Sequence, residues 1–256
     1  MKILDLLERE RDRRMAAERE QRRLRGLNAI LKGMLRPPSL VPVGCAQVAA
    51  FHQTASADQL GGDFYDVFPL GCDRWALFIG DVCGKGAEAA ALTLLCRHTL
   101  RLAAACGNGP VDVLSLLNAV LLQEPRDGTR MCTALYGVMT AEEDGVRLTL
   151  AVAGHPPPLL IHPSGRVEEL RLDAGLMLGV DAAPGLTAAT IRLDPGQTLL
   201  AYTDGLTDEV IEELTEGVIE RLCRTGEVHA QAVVDAVRGL TPGPLADDCA
   251  LLAVTA

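Results

Sequence analysis

Four acidic stretches carry the residues most able to do chemistry: GGDFYD around Asp63, GDVCGKG around Asp81, YTDG around Asp204, and ADDC around Asp247 and Asp248. Each sits where an apolar, strand-like run begins or ends, so carboxylates far apart in sequence can gather at one end of a sheet. A divalent-metal site is built that way. Oxygen-only ligands favour magnesium or manganese over zinc, which usually recruits His or Cys. A single Asp beside Gly at a strand end is ordinary turn chemistry; four in these contexts point to a metal.

The elements that hold them follow from period-two alternation. In the run Trp75-Ala-Leu-Phe-Ile-Gly-Asp81, the residues Trp75, Leu77, Ile79 and Asp81 share a face. A carboxylate ending an apolar face is costly unless paired or metal-bound. Likewise Leu200 and Tyr202 share a face with Asp204, and Asp247 shares one with Cys249, Leu251 and Ala253. Asp81 and Asp204 close their strands, whereas Asp63 and Asp247 open theirs. In an antiparallel sheet the closing end of one strand lies beside the opening end of its neighbour. All four acids are therefore expected at one rim.

Two divalent ions held by shared carboxylates lower the pKa of a bound water from 15.7 to roughly 7, and about 3.5 to 4 Å apart they stabilise an in-line displacement at phosphorus. Phosphate-ester hydrolysis suits such a centre. The sequence has no Cys-x5-Arg-like loop, no Gly-x-Ser-x-Gly and no legible Ser-His-Asp order, which leaves water as the nucleophile. Gly80-Asp-Val-Cys-Gly-Lys-Gly86 has the glycines and lysine of a phosphate cradle. A P-loop, however, needs Ser or Thr after its lysine, and Lys85 is followed by Gly86 and Ala87. Lys85 is read as a solvated or substrate-facing charge. His155, in AGHPPP, is read as a turn residue held by prolines in preference to a general acid. His52, His98, His162 and His229 have no partner visible in the sequence.

Composition bounds the remaining classes. A chain of 256 residues, 48% hydrophobic, suits one large domain plus an extension. The eight cysteines show no zinc-knuckle or redox spacing, and several fall in apolar runs, so buried reduced thiols are expected. Charged residues stand where a signal peptide needs an apolar core, and no apolar stretch is long enough to span a bilayer. A cytoplasmic protein without membrane contact is expected. Residues 1 to 36 carry a balance of +5 and the rest −15, with 3% aromatic residues in the chain. An acidic body so poor in aromatics neither neutralises phosphates nor stacks bases, which argues against nucleic acid.

The first segment, up to Arg36-Pro37-Pro38, reads as one helix ended by the double proline. Ile3, Leu6, Ala17, Leu24, Leu27, Leu31 and Met34 fall on heptad a and d positions, interrupted by Glu10, Arg13 and Glu20. Two readings stand: a helix lying on its own domain, or a dimerising or signal-receiving coil. Strands are expected at 45–54, 63–70, 74–81, 132–140, 146–153, 158–162, 198–203 and 249–254. Helices are expected at 87–105, 110–122, 207–224 and 228–239. Runs of strands separated by helix pairs argue for an α+β domain with antiparallel sheets.

GGDFYDVFPL, ALFIGDVCGKGAEAA, AGHPPPLL, LMLGV, YTDGLTDEV and ADDCALLAV, in this order, resemble the stage II sporulation protein E and RsbU-like branch of the PP2C-like metal-dependent protein phosphatases. The similarity covers roughly residues 40 to 256, and LNAILKGMLRPP resembles that family's linker helix. The resemblance implies a PP2C-like sandwich of two antiparallel β-sheets flanked by α-helices, spanning 39–256 and preceded by an N-terminal helix over 1–38. It implies a centre of two Mn2+ or Mg2+ ions at one end. By motif match Asp81 bridges the ions, the Val82 carbonyl coordinates one, Asp204 and Asp247 hold the second, and Asp63 binds directly or through water. Asp66, Asp208 and Asp248 are weaker supporting candidates. Substrates implied are phosphoserine or phosphothreonine proteins, often anti-sigma-factor antagonists in partner-switching pathways, and the helix pair after GDVCGKG is implied to act as a switch. A helix without a sensor domain is expected where many relatives carry one. The rival reading is a pseudophosphatase that binds the phosphoprotein or its kinase without turnover.

Overall fold

The computed structural model describes residues 2–35, 40, 43–44, 46–55, 61–107, 109–123, 130–226, 228–241, 243, 245 and 247–256. The chain divides into two compact units, residues 1–36 and 37–256. In the first, α1 runs over Lys2–Leu35. Its described side chains are exposed, and Glu10–Arg14, Glu18–Arg22 and Glu20–Arg23 form ion pairs one turn apart. Pro37, Pro38 and most of the predicted heptad seam lie outside the residues whose side chains are described.

The second unit has four layers. One sheet contains β2 (Asp63–Gly71), β3 (Arg74–Val82), β4 (Cys132–Glu142), β5 (Gly145–Ala153) and β8 (Ala188–Leu193), adjacent in that order. The other contains, in spatial order, β1 (Gln47–Gln53), β10 (Cys249–Thr255), β9 (Thr198–Tyr202), β6 (Leu159–Ile161) and β7 (Val167–Glu169). Every pairing between these strands is antiparallel. The sheets face each other across Tyr65, Val67, Leu77, Ile79, Leu135 and Val152 from the first, and Leu199, Ala201, Ala250 and Leu252 from the second.

The opposite faces take the helices. Phe64, Phe78 and Tyr136 of the first sheet pack under α2 (Ala87–Ala105) and α3 (Pro110–Gln123). Leu200, Tyr202, Leu251 and Ala253 of the second pack under α4 (Asp208–Glu213), α5 (Ile219–Thr225) and α6 (Ala230–Leu240). With both faces covered, β10 is buried along its whole length and the strands read as apolar runs instead of alternating ones. This is the expected antiparallel sandwich flanked by helices.

Two expectations change. The helix predicted over 207–224 is interrupted: Leu214–Val218 takes the wider π geometry, with Thr215, Glu216 and Gly217, all weak or mid-rank formers except Glu, at its centre. The short strands β7 and β8 were not expected; β7 is three residues with none buried, whereas β8 does alternate, with Ala189, Ile191 and Leu193 on its covered side, and was missed. All seven described cysteines are free thiols; Cys96, Cys132 and Cys249 are buried, and Cys45 lies outside the described residues. Among the described residues no helix is long and apolar enough to cross a membrane.

Candidate metal centre

β2 and β3 pair so that Asp63 stands directly opposite Asp81. Alternation places both on the face turned toward the second sheet, beyond Tyr65 and Ile79. The row continues to Thr133 of β4, which pairs with Asp81. The second sheet meets this row with Thr203, the residue after β9, whose hydroxyl donates to Asp63 Oδ2 at 2.6 Å and accepts from the Ala250 amide at 2.8 Å. The two predicted strand pairs therefore belong to different sheets, and their acidic ends meet at one end of the sandwich.

Electrostatics follow from this packing. Asp63 is 6% exposed, and burial, then the neighbouring Asp81 charge, pushes its carboxyl well above the usual range, against the pull of the Thr203 hydrogen bond. Asp81 is pushed up to about 7 by burial first, then by Asp204, with Asp247 and Asp248 adding to the effect. Two such carboxylates share a proton or need a cation.

Asp204 and Asp247 reach the rim by a route that alternation did not give. Continued strand geometry would turn both onto the helix-covered face with Tyr202 and Cys249. β9 instead ends at Tyr202 and β10 begins at Cys249, so both acids lie in turns and are exposed. Gly205 permits the crossing, since a Cβ there would lie 1.7 Å from the Asp248 carbonyl. Asp247 Oδ1 lies 3.5 Å from Lys85 Nζ, so Lys85 faces the acidic rim instead of open solvent alone.

Asp248 has a larger part than the sequence assigned to it. Its Oδ1 accepts from the Ala55 amide at 2.8 Å and its Oδ2 from the Gly62 amide at 3.0 Å, tying the end of β10 to both flanks of the chain leading into β2. The Gly62 carbonyl in turn accepts from Thr93 of α2 at 3.1 Å. Asp66 goes elsewhere: one residue out of phase with Asp63 and Tyr65, it is fully buried toward α2, where Arg101 Nε donates to Oδ2 at 2.6 Å. Asp208 is exposed in the first turn of α4.

His155 is buried, with Nδ1 2.9 Å from the Thr133 hydroxyl. Burial lowers its pKa to about 3, so it stays neutral near pH 7 and is a packed residue and not a proton donor. His229, without a partner in the sequence reading, caps α6 by accepting from the Ala232 amide at 3.3 Å. Thr203 was missed altogether; its signal was its place in phase with Leu199 and Ala201 on the inward face.

The donor set fits hard divalent ions. A Cβ on Gly62 would fall 2.6 Å from both Asp81 Oδ1 and the Val82 carbonyl oxygen, so these two oxygens front one small space that only a glycine leaves open. Among the described residues no three His, Cys, Asp or Glu side chains close into a cage of their own. Magnesium-type ions, which keep several waters and take one or two carboxylates, require no such cage.

Residues 71–256 match the family model described as stage II sporulation protein E (SpoIIE). Among curated proteins, IcfG of Synechocystis sp. is 32% identical over 198 residues, covering 67% of this chain and 30% of that protein. Phosphoserine phosphatase RsbP of Bacillus subtilis is 26% identical over 165 residues, covering 63% and 40%. The chain thus spans less than half the length of these relatives. The solved RsbU and RsbW domains of Rv1364c from Mycobacterium tuberculosis superpose with a TM-score of 0.74 at 28% identity, covering 85% of this chain and 63% of that one. The PP2C phosphatase domain of SpoIIE from Bacillus subtilis gives 0.65 at 18% identity, covering 82% and 63%. With the family model matching well over half its length, the chain belongs to the stage II sporulation protein E family and has the PP2C-like fold.

Proposed function

We propose that residues 39–256 form a manganese- or magnesium-dependent protein serine/threonine phosphatase and residues 1–38 its linker helix. The observation that carries this reading is the facing pair Asp63 and Asp81 beside the Gly62 space fronted by Asp81 Oδ1 and the Val82 carbonyl. Asp81, the Val82 carbonyl and Asp63, directly or through water, would hold one ion, and Asp81 with Asp204 and Asp247 a second, with waters completing each shell because these carboxylates do not close a cage by themselves. Bound there, two divalent ions supply a hydroxide nucleophile at neutral pH and offset charge on the phosphoryl oxygens.

The chain's own residues prepare this chemistry. Thr203 fixes the rotamer of Asp63 and keeps one of its oxygens turned to the second sheet. Asp248, holding the Ala55 and Gly62 amides, sets the backbone that shapes the space beside Asp81. Lys85 pairs with Asp247 at the mouth, so a phosphate monoester entering there meets a cation beside the acidic rim. His155, neutral and buried, supports Thr133 behind Asp81 and transfers no proton.

The curated relative named phosphoserine phosphatase supports phosphoserine as the group attacked; the substrate of this reading is a phosphoserine or phosphothreonine regulatory protein, an anti-sigma-factor antagonist. Self-association through α1 is part of the reading; removing residues 1–36 and measuring mass in solution tests it, and an unchanged oligomer rejects it. The activity is tested with a phosphoserine peptide and manganese, for the wild type beside Asp81→Asn and Asp204→Asn. Metal-dependent release of phosphate, lost in both variants, is expected; release that persists in both rejects the site.

A further inference from the structure

A cavity of about 420 Å³ opens at the end of β2 and β3 opposite the acidic rim, under the last turn of α2. Phe68, Leu70, Ala104 and Val138 give it apolar walls, and Arg74 and Arg101 stand in its lining, which contains no acidic residue; Asp66, which holds Arg101, lies outside it. That is unusual for an acidic body, whose charge over residues 37 to 256 is −15.

Both guanidinium groups have donors to spare. Arg101 is held in place: its Nε donates to Asp66, and its plane lies 4.5 Å from the centre of the Phe68 ring. This contact spends one of five N–H donors and leaves the outer edge of the fork, on a side chain 45% exposed, without a partner among the described residues. Arg74, at the start of β3, is exposed and makes no ion pair among the described residues. A fixed fork and a second, adjustable one over apolar walls match an oxyanion carried on a flat apolar body, because guanidinium binds such anions in a bidentate way and stacks on rings. A cavity of this size and make-up lies within the range of small-molecule sites.

We infer that this cavity is a binding site for a small organic anion, an apolar body bearing one carboxylate, sulfonate or phosphate group, held by Arg74 and Arg101 at the far end of α2 from the acidic rim. The site is separate from the phosphatase reading and stands without it. It has a structural route to the rim: α2 carries Arg101 at this end, Thr93 bonds the Gly62 carbonyl midway, and the helix begins directly after GDVCGKG.

The test uses 2-naphthalenesulfonate as the probe and the metal-free chain of residues 1–256, by calorimetric titration, with 2-naphthol as a neutral competitor of the same body. Arg74→Ala removes the adjustable fork. Ala105→Trp, at an exposed position on the lining, blocks the cavity without disturbing the Asp66 pair. One probe per chain is expected, not displaced by 2-naphthol, with affinity reduced at least about tenfold in each variant, as loss of a charged hydrogen-bond pair or of the space would cause. No saturable binding to wild type, or equal binding to wild type and both variants, overturns the assignment.

Discussion

The Thr203 hydroxyl crosses from the second sheet to Asp63 of the first at 2.6 Å, a buried hydrogen bond between residues 140 apart that also accepts the Ala250 amide. It joins the two halves of the acidic rim. Thr203→Val keeps the shape and leaves both Asp63 and the Ala250 amide short of a partner. A loss of about 1–3 kcal/mol in urea unfolding is expected, with Thr203→Ser close to wild type. Equal stability of the Val variant would show that the bond does not tie the sheets.

Gly62→Ala tests the space beside Asp81. The added Cβ would sit 2.6 Å from Asp81 Oδ1 and from the Val82 oxygen, contacts that real Cβ atoms do not make. Manganese affinity is expected to fall by about tenfold or more while the circular dichroism spectrum stays that of the wild type. Unchanged affinity would remove Asp81 and Val82 as a joint ligand pair.

How much of this was legible in the sequence differs by residue. The strands bearing Asp63 and Asp81 were read within one residue of their ends, because β2 and β3 begin and stop at glycine-rich turns. Their facing relationship then follows from a tight hairpin. For Asp204 and Asp247, alternation pointed to the helix-covered face; what turns them is where β9 stops and β10 starts, which depends on the close approach of Gly205 to Asp248. Thr203 was passed over, and Asp248 was given only as a weaker supporting candidate, because their roles are contacts across 140 and 186 residues or more, which no local pattern reports. Asp66 was carried as a weaker supporting candidate by motif match, although alternation already sets it on the other face of the strand from Asp63, toward α2 and Arg101.

Asp66 anchors α2. Its carboxylate is fully buried and bonded to Arg101, and its Oδ1 has no hydrogen-bond partner among the described residues. Asp66→Ala leaves Arg101 without its partner, and about 2–4 kcal/mol of stability should be lost, less than for a fully buried pair because the arginine is partly exposed. Hydrogen exchange should quicken in α2 more than in β4. Uniform exchange across both elements would argue against a local anchor.

His155 gives the fold a pH dependence of known sign. Its pKa is lowered to about 3 by burial, so between that value and 6.5 the unfolded chain takes up a proton that the folded chain refuses. Stability from this group is present above pH 6.5 and is lost as pH falls toward 3. Between pH 7 and pH 5 the loss is about 2 kcal/mol at most. His155→Asn should lack this component, so the stability gap between wild type and variant narrows at pH 5. A gap that stays constant would mean the imidazole is protonated in the fold.

The most direct test of the acidic rim as a metal centre is a manganese count on the purified protein. Equilibrium titration followed by the electron paramagnetic resonance signal of free manganese should show two saturable ions per chain in the wild type. It should show weakened or lost binding in Asp81→Asn, whose carboxylate both ions are expected to share. No saturable binding in wild type, or the same two ions bound equally well by Asp81→Asn, would contradict the account.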